Sequence, residues 1–204
     1  MSYTTTIKAG QVNNLTNARF FASYQVDWIG FDMDPLSTHT LNPDAAQEIM
    51  NWLVLDNLMG EFANRSVEEI LHLAQLLNLR GAQVPYEVPT AALKRAHLTV
   101  IKTLALDMPV LPMALDTNHI DFLLVEPGKQ EWSALDAHTQ RTVQDWTEDV
   151  PVLLSVPPEQ GMVEALLAQY EPAGINLLIP DEIRPGVQEF EPVLDLLEAL
   201  SDTN

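Results

Sequence analysis

Apolar positions along the chain fall into two alternating patterns. Short runs at residues 5–9, 28–33, 58–63, 81–84, 99–105, 122–125, 152–156 and 175–179 are rich in Val, Ile, Leu and Phe and are bounded by polar, Gly or Pro residues, as strands are. Between them, residues 15–24, 43–52, 67–77, 91–96, 134–146, 161–170 and 190–200 place apolar side chains at helical spacing. The third of these helices is the most sharply marked. Ser66 followed by Glu69 makes a capping box, and Val67, Ile70, Leu71, Ala74 and Leu77 share one face. Asn13 and Asn14 are suitable caps for a helix that begins at Leu15. After the fifth strand, "LDMPVLPMALDTNH" contains Pro109 and Pro112, whose missing N–H groups leave room for a degenerate helix at most.

Strand then helix, repeated along the chain with no break in composition, predicts a parallel sheet. Eight such strands are the number that closes a (β/α)8 TIM barrel, an α/β fold, here as a single domain over residues 1–204. The length lies near the lower limit of about 200 residues for that fold, so the loops must be brief. An open doubly wound sheet is the alternative, but its phosphate loops, "GxGxxG" and "GxxxxGK", are both absent.

Charge and composition narrow the partners. Asp plus Glu number 29 against 10 Lys plus Arg, a formal charge of −19. Such a surface repels phosphate backbones and anionic bilayers, so neither nucleic acid nor membrane is expected as a partner. With no cysteine, disulfides, thiolate nucleophiles and zinc-thiolate sites are excluded. The opening "MSYTTTIKAG" lacks an apolar signal core, and no apolar run approaches the ~20 residues of a spanning helix, so a cytoplasmic protein is expected. His39, His72, His97, His119 and His138 show no metal-ligand spacing, and neither cofactor nor metal is assigned. The oligomeric state is left open.

Several blocks carry a resemblance. "IKAGQVNNLTNA", "GFDMDPLSTHTLNPDAA", "GEFANRSVEEILHLAQLLNLRGAQV", "VIKTLAL", "DFLLVEP" and "RPGVQEFEPVLDLLEAL" stand in the order and spacing of phosphoribosylanthranilate isomerase, a small (β/α)8 barrel of tryptophan biosynthesis. The resemblance covers nearly the whole chain and implies the same barrel. It also implies a site that has changed. The first strand of that family reads roughly K-x-C-G-x-T-N, and its cysteine, the general base, falls on Gly10. Its S-P-R becomes Ser37-Thr38-His39, so a substrate-binding arginine becomes His39. Its Q-L-H-G becomes Gln83-Val84-Pro85-Tyr86, and the aspartate general acid of its L-L-D becomes Glu126. The phosphate-binding A-G-G and S-S-G-V become Leu154-Ser155-Val156 and Leu177-Leu178-Ile179-Pro180. Pro157, Pro158 and Pro180 offer no N–H, and Asp181 and Glu182 add negative charge. The resemblance therefore implies loss of the isomerase activity and no anion between strands seven and eight.

Function in such barrels sits at the C-terminal ends of the strands. The candidates there are Glu126 as an acid or base, Gly10 as the vacated base position, and Lys8, Asp32, His39, Glu61, Gln83 and Lys102 as pocket residues. Carboxylates in apolar strands need partners, so Asp32, Glu61 and Glu126 are expected to meet Lys8 and Lys102 inside the barrel. Three arrangements remain open: ion pairs that fill the former site, a pocket for a cationic or polyhydroxy small molecule, or a hard-metal site from Asp32, Asp34, Glu61 and Glu126. The leading functional expectation is a relative that lacks the isomerase activity, its ligand unknown. An enzyme with altered chemistry using Glu126 with Lys8, Asp32 or Glu61 comes next, then a scaffold or partner-binding protein, and an active isomerase last.

Overall fold

The strands pair in chain order until the last returns to the first. In the computed structural model, which describes residues 3–38, 40–53, 55–112, 115–178 and 189–201, eight strands form a closed barrel. They are β1 (Thr6–Val12), β2 (Trp28–Asp32), β3 (Leu58–Glu61), β4 (Gly81–Pro85), β5 (Thr99–Ala105), β6 (Phe122–Glu126), β7 (Val152–Val156) and β8 (Gly174–Leu178). All pairings are parallel, and β8 closes on β1 with Lys8 beside Asn176 and Gly10 beside Leu178.

Around them lie α1 (Leu15–Ser23), α2 (Pro43–Trp52), α3 (Val67–Leu76), α4 (Ala91–Arg95), α5 (Ala137–Asp149), α6 (Gln160–Tyr170) and α7 (Glu191–Ala199). Side-chain caps start several of them. Asn14 Oδ1 accepts the Asn17 amide at 2.9 Å, and Ser66 and Glu69 form the expected capping box. The fifth helix starts later than expected. Residues Trp132–Ala134 make a single 3-10 turn, and Asp136 then caps α5 through the His138 and Thr139 amides. Between β5 and β6 the described residues contain no helix, as Pro109 and Pro112 require.

Packing separates two apolar regions. The large one fills the shell between strands and helices. The small one, Met59, Ile101, Leu124 and Leu153 with Trp28 and Phe122 against it, occupies the lower barrel interior. Side chains in a strand alternate between faces, so the next inward residues are Glu61, Thr103, Glu126 and Ser155. An apolar layer thus lies below a polar one. At the opposite rim, carboxylates satisfy the amides that begin two strands: Asp27 Oδ2 accepts the Ile7 N–H at 2.8 Å, and Asp121 Oδ2 accepts that of Val100 at 2.7 Å.

Candidate functional site

The polar layer is organised by a break in β1. Its pairing with β2 shifts register between Ala9 and Val12, a bulge in which Gln11 takes φ 56°. Left-handed backbone at a non-glycine residue is uncommon and is held here by a contact. The Gln11 N–H turns into the barrel and donates to Glu61, 3.1 Å from Oε2 and 3.3 Å from Oε1. Glu61 also pairs with the Lys8 ammonium. Lys8 is 0% exposed, so its Nζ has protein groups rather than solvent for partners. Its Nζ donates a second bond to Asn176 Oδ1 at 2.8 Å, and Asn176 Nδ2 donates to Ser155 Oγ at 3.2 Å. A connected chain of polar side chains therefore crosses β3, β1, β8 and β7.

Two glycines make room for it. A Cβ on Gly10 would stand 2.7 Å from Asn176 Oδ1 and 3.1 Å from Nδ2. A Cβ on Gly30 would run into the Glu61 carboxylate and stand 2.9 Å from Lys8 Nζ. Gly10 is thus more than a position without a base. The volume its side chain would occupy is held by a buried amide, and that amide is itself a partner of Lys8.

Above this network the barrel opens into a cavity of about 450 Å³. Asp32, Asp34, Glu61, Glu87 and Glu126 contribute carboxylates to its walls, beside Gln83, Thr103, Phe62 and Met108. Among the described residues its lining holds no Lys, Arg or His. A second cavity of about 500 Å³ adjoins it, bounded by Pro127, Val156, Pro157, Pro158 and Leu178; Gln11 and Glu126 line both. Burial, then repulsion from Glu61, raises the Glu126 carboxyl pKa above the usual glutamate range, with Lys8 opposing and Asp107 adding to the rise.

The expected cluster is formed only in part. Lys8, Glu61 and Glu126 share the upper interior, but Lys8 is sealed beneath the cavity and does not line it. Asp32 lines the cavity yet pairs with no lysine. Its Oδ1 accepts the Asp34 amide at 3.0 Å and its Oδ2 accepts the Ser37 hydroxyl, so it closes the loop after β2. Lys102 is on the wrong face. Its neighbour Ile101 belongs to the interior cluster, so Lys102 projects into the outer shell, where its Nζ stands 5.0 Å from the centre of the Tyr86 ring. Gln83 lines the cavity. His39, Pro180, Asp181 and Glu182 lie outside the described residues. No hard-metal arrangement forms: among the described residues, no group of three or more His, Asp or Glu could hold an ion.

Gln11, Asn176, Ser155 and Thr103 were not foreseen from the sequence. Period-two counting from the apolar residues of the lower layer reaches Thr103 and Ser155, and Asn176 is an amide inside the apolar run "GINLLI". Gln11 carries no local signal.

A closed (β/α)8 barrel with its polar groups at the C-terminal mouth is the class that fold and site define. Within that class the chain resembles phosphoribosylanthranilate isomerases over nearly its full length. The enzyme from Thermus thermophilus is 25% identical, with 97% of this chain and 99% of that one covered at a TM-score of 0.76. The isomerase from Thermotoga maritima is 20% identical, with 96% and 100% covered at 0.75. Another isomerase structure, solved in complex with reduced 1-(o-carboxyphenylamino)-1-deoxyribulose 5-phosphate, is 20% identical, with 95% and 97% covered at 0.73. No protein-family model and no curated protein matches the chain. Among the described residues, no helix is long and apolar enough to cross a membrane.

Proposed function

We propose that this barrel keeps the frame of phosphoribosylanthranilate isomerase without its reaction, and that its mouth holds a different small ligand. The observation that carries the reading is at Gly10. By the sequence resemblance this is the position of the general base, and the space for any side chain there is taken by Asn176 Oδ1, 2.7 Å from an ideal Cβ. Removing a general base typically costs 10²–10⁴ in rate. The substrate class adds to this. The relative's ligand carries a phosphate and a carboxylate, as its name states. A cavity walled by Asp32, Asp34, Glu61, Glu87 and Glu126 repels such an anion.

The test is turnover of freshly prepared phosphoribosylanthranilate by the purified protein, together with complementation of a strain lacking the isomerase. No turnover above background and no growth are expected. Growth at ordinary expression sinks the reading. A second reading, altered chemistry with Glu126 as an acid, is favoured by one observation: a half-buried carboxyl whose pKa is raised stands where two cavities meet. A cytoplasmic setting without nucleic-acid partners belongs to the same proposal, supported by the charge of −19 and the lack of cysteine.

A further inference from the structure

The acidic cavity offers more than negative charge. Gln83 and Thr103 contribute to its wall, and Gln83 Oε1 and Thr103 Oγ1 are shielded from solvent without a hydrogen-bond partner. The Gln83 amide oxygen can only accept and needs a donor, whereas the Thr103 hydroxyl can accept or donate, and leaving such a group unsatisfied is costly. Among the described residues, none supplies a partner to them. Glu126 stands beside these residues at the junction with the second cavity. There the chemistry reverses. Pro127, Val156, Pro157, Pro158 and Leu178 form an apolar shelf, and prolines have no N–H to offer an anion.

A ligand that suits both halves has N–H donors and positive charge at one end and an apolar body at the other. We infer that the mouth of this barrel binds a small amphiphilic amine. Its ammonium group enters the acidic cavity toward Gln83, Thr103 and Glu126, and its apolar part lies on the proline shelf. The inference rests on the reading that the mouth is a ligand site. It goes beyond that reading by reversing the sign of the ligand relative to the isomerase substrate. Gln11, which lines both cavities from a left-handed backbone position, flanks the crossing point.

The experiment is a titration of isotope-labelled protein by NMR near neutral pH, with four probes: benzylamine, benzyl alcohol, benzoate and methylammonium. Benzylamine is expected to shift the amides of Gln11, Thr103 and Glu126 in a saturable way. Methylammonium should bind there at least about tenfold more weakly, because it lacks the body that covers the shelf. Benzoate should leave these amides unmoved. Glu126→Gln, which keeps the shape and removes the charge, should weaken benzylamine about five- to tenfold. Benzoate or benzyl alcohol binding at the mouth as tightly as benzylamine overturns the amine while leaving the site itself in place. Methylammonium binding as tightly as benzylamine, or an unchanged affinity in Glu126→Gln, also overturns the placement. If no probe touches the mouth, the inference and the ligand-site reading fall together, whereas the loss of isomerase activity stands or falls on its own assay.

Discussion

Gly10→Ala tests the close approach of β1 and β8. The new methyl would meet Asn176 Oδ1 at 2.7 Å, Nδ2 at 3.1 Å and Cγ at 3.3 Å. Asn176 is 2% exposed and bonded on both sides, to Lys8 Nζ at 2.8 Å and to Ser155 Oγ at 3.2 Å. It can yield only by weakening those bonds, and a hydrogen bond to a charged group contributes about 1.5–3 kcal/mol. Holding still would instead force overpacking strain of about 1–3 kcal/mol. The cheaper route sets the cost, so Gly10→Ala should destabilise by about 1–3 kcal/mol. Asn176→Ala alone should cost a similar amount or more, since it strips a partner from a fully buried ammonium. In the Asn176→Ala background the methyl at position 10 fits, and its penalty should vanish. Urea denaturation of the four proteins gives a coupling energy, expected at about 1–3 kcal/mol in favour of the double variant. A Gly10→Ala protein within about 0.5 kcal/mol of the parent, or a penalty undiminished beside Asn176→Ala, would refute the steric account.

Further outcomes follow from the same network. Lys8→Met alone leaves the Glu61 carboxylate without its cation and should cost about 3–5 kcal/mol in urea unfolding, while Lys8→Met with Glu61→Leu should recover part of that loss, the rest being the Gln11 N–H left without its acceptor; equal destabilisation of the two variants argues against the ion pair as the cause. Glu126 has a folded-state pKa above its ordinary 4.5, so the folded form keeps a proton that the unfolded chain releases. Its contribution to stability is full below 4.5 and is lost as the pH rises through the folded value. Glu126→Gln cannot ionise and should therefore gain stability relative to the parent as the pH rises above the ordinary glutamate value of 4.5; a difference that stays constant with pH removes Glu126 from the account.

Much of the frame was written in local pattern. The alternation of short apolar runs with capped helices foretold the barrel, and the two prolines after β5 foretold a degenerate fifth helix, where the described residues form none. The faces of the strands were harder. In "TVIKTLA" both faces are buried, as in most parallel sheets, so nothing local assigns Lys102 to the outer side. Asp32 was legible as a buried carboxylate but not as the acceptor for its own loop, because Ser37 and the Asp34 amide reach it only once the turn has formed. Gln11 illustrates the limit most clearly. Glutamine has no preference for a left-handed backbone, and what holds it there is a carboxylate 50 residues away on β3.

The polar chain at the heart of the barrel also bears on the order of events in folding. Lys8 meets Glu61 across 53 residues of sequence and Asn176 across 168. The second contact joins the first strand to the last across the largest loop in the network, so its loop-closure cost predicts that it forms late. An interaction formed that late is expected to act less on the rate of folding than as a latch against unfolding. Loosening it at Asn176 should quicken unfolding and leave the refolding rate nearly unchanged, which makes the seam between β1 and β8 the timekeeper of the folded state's lifetime.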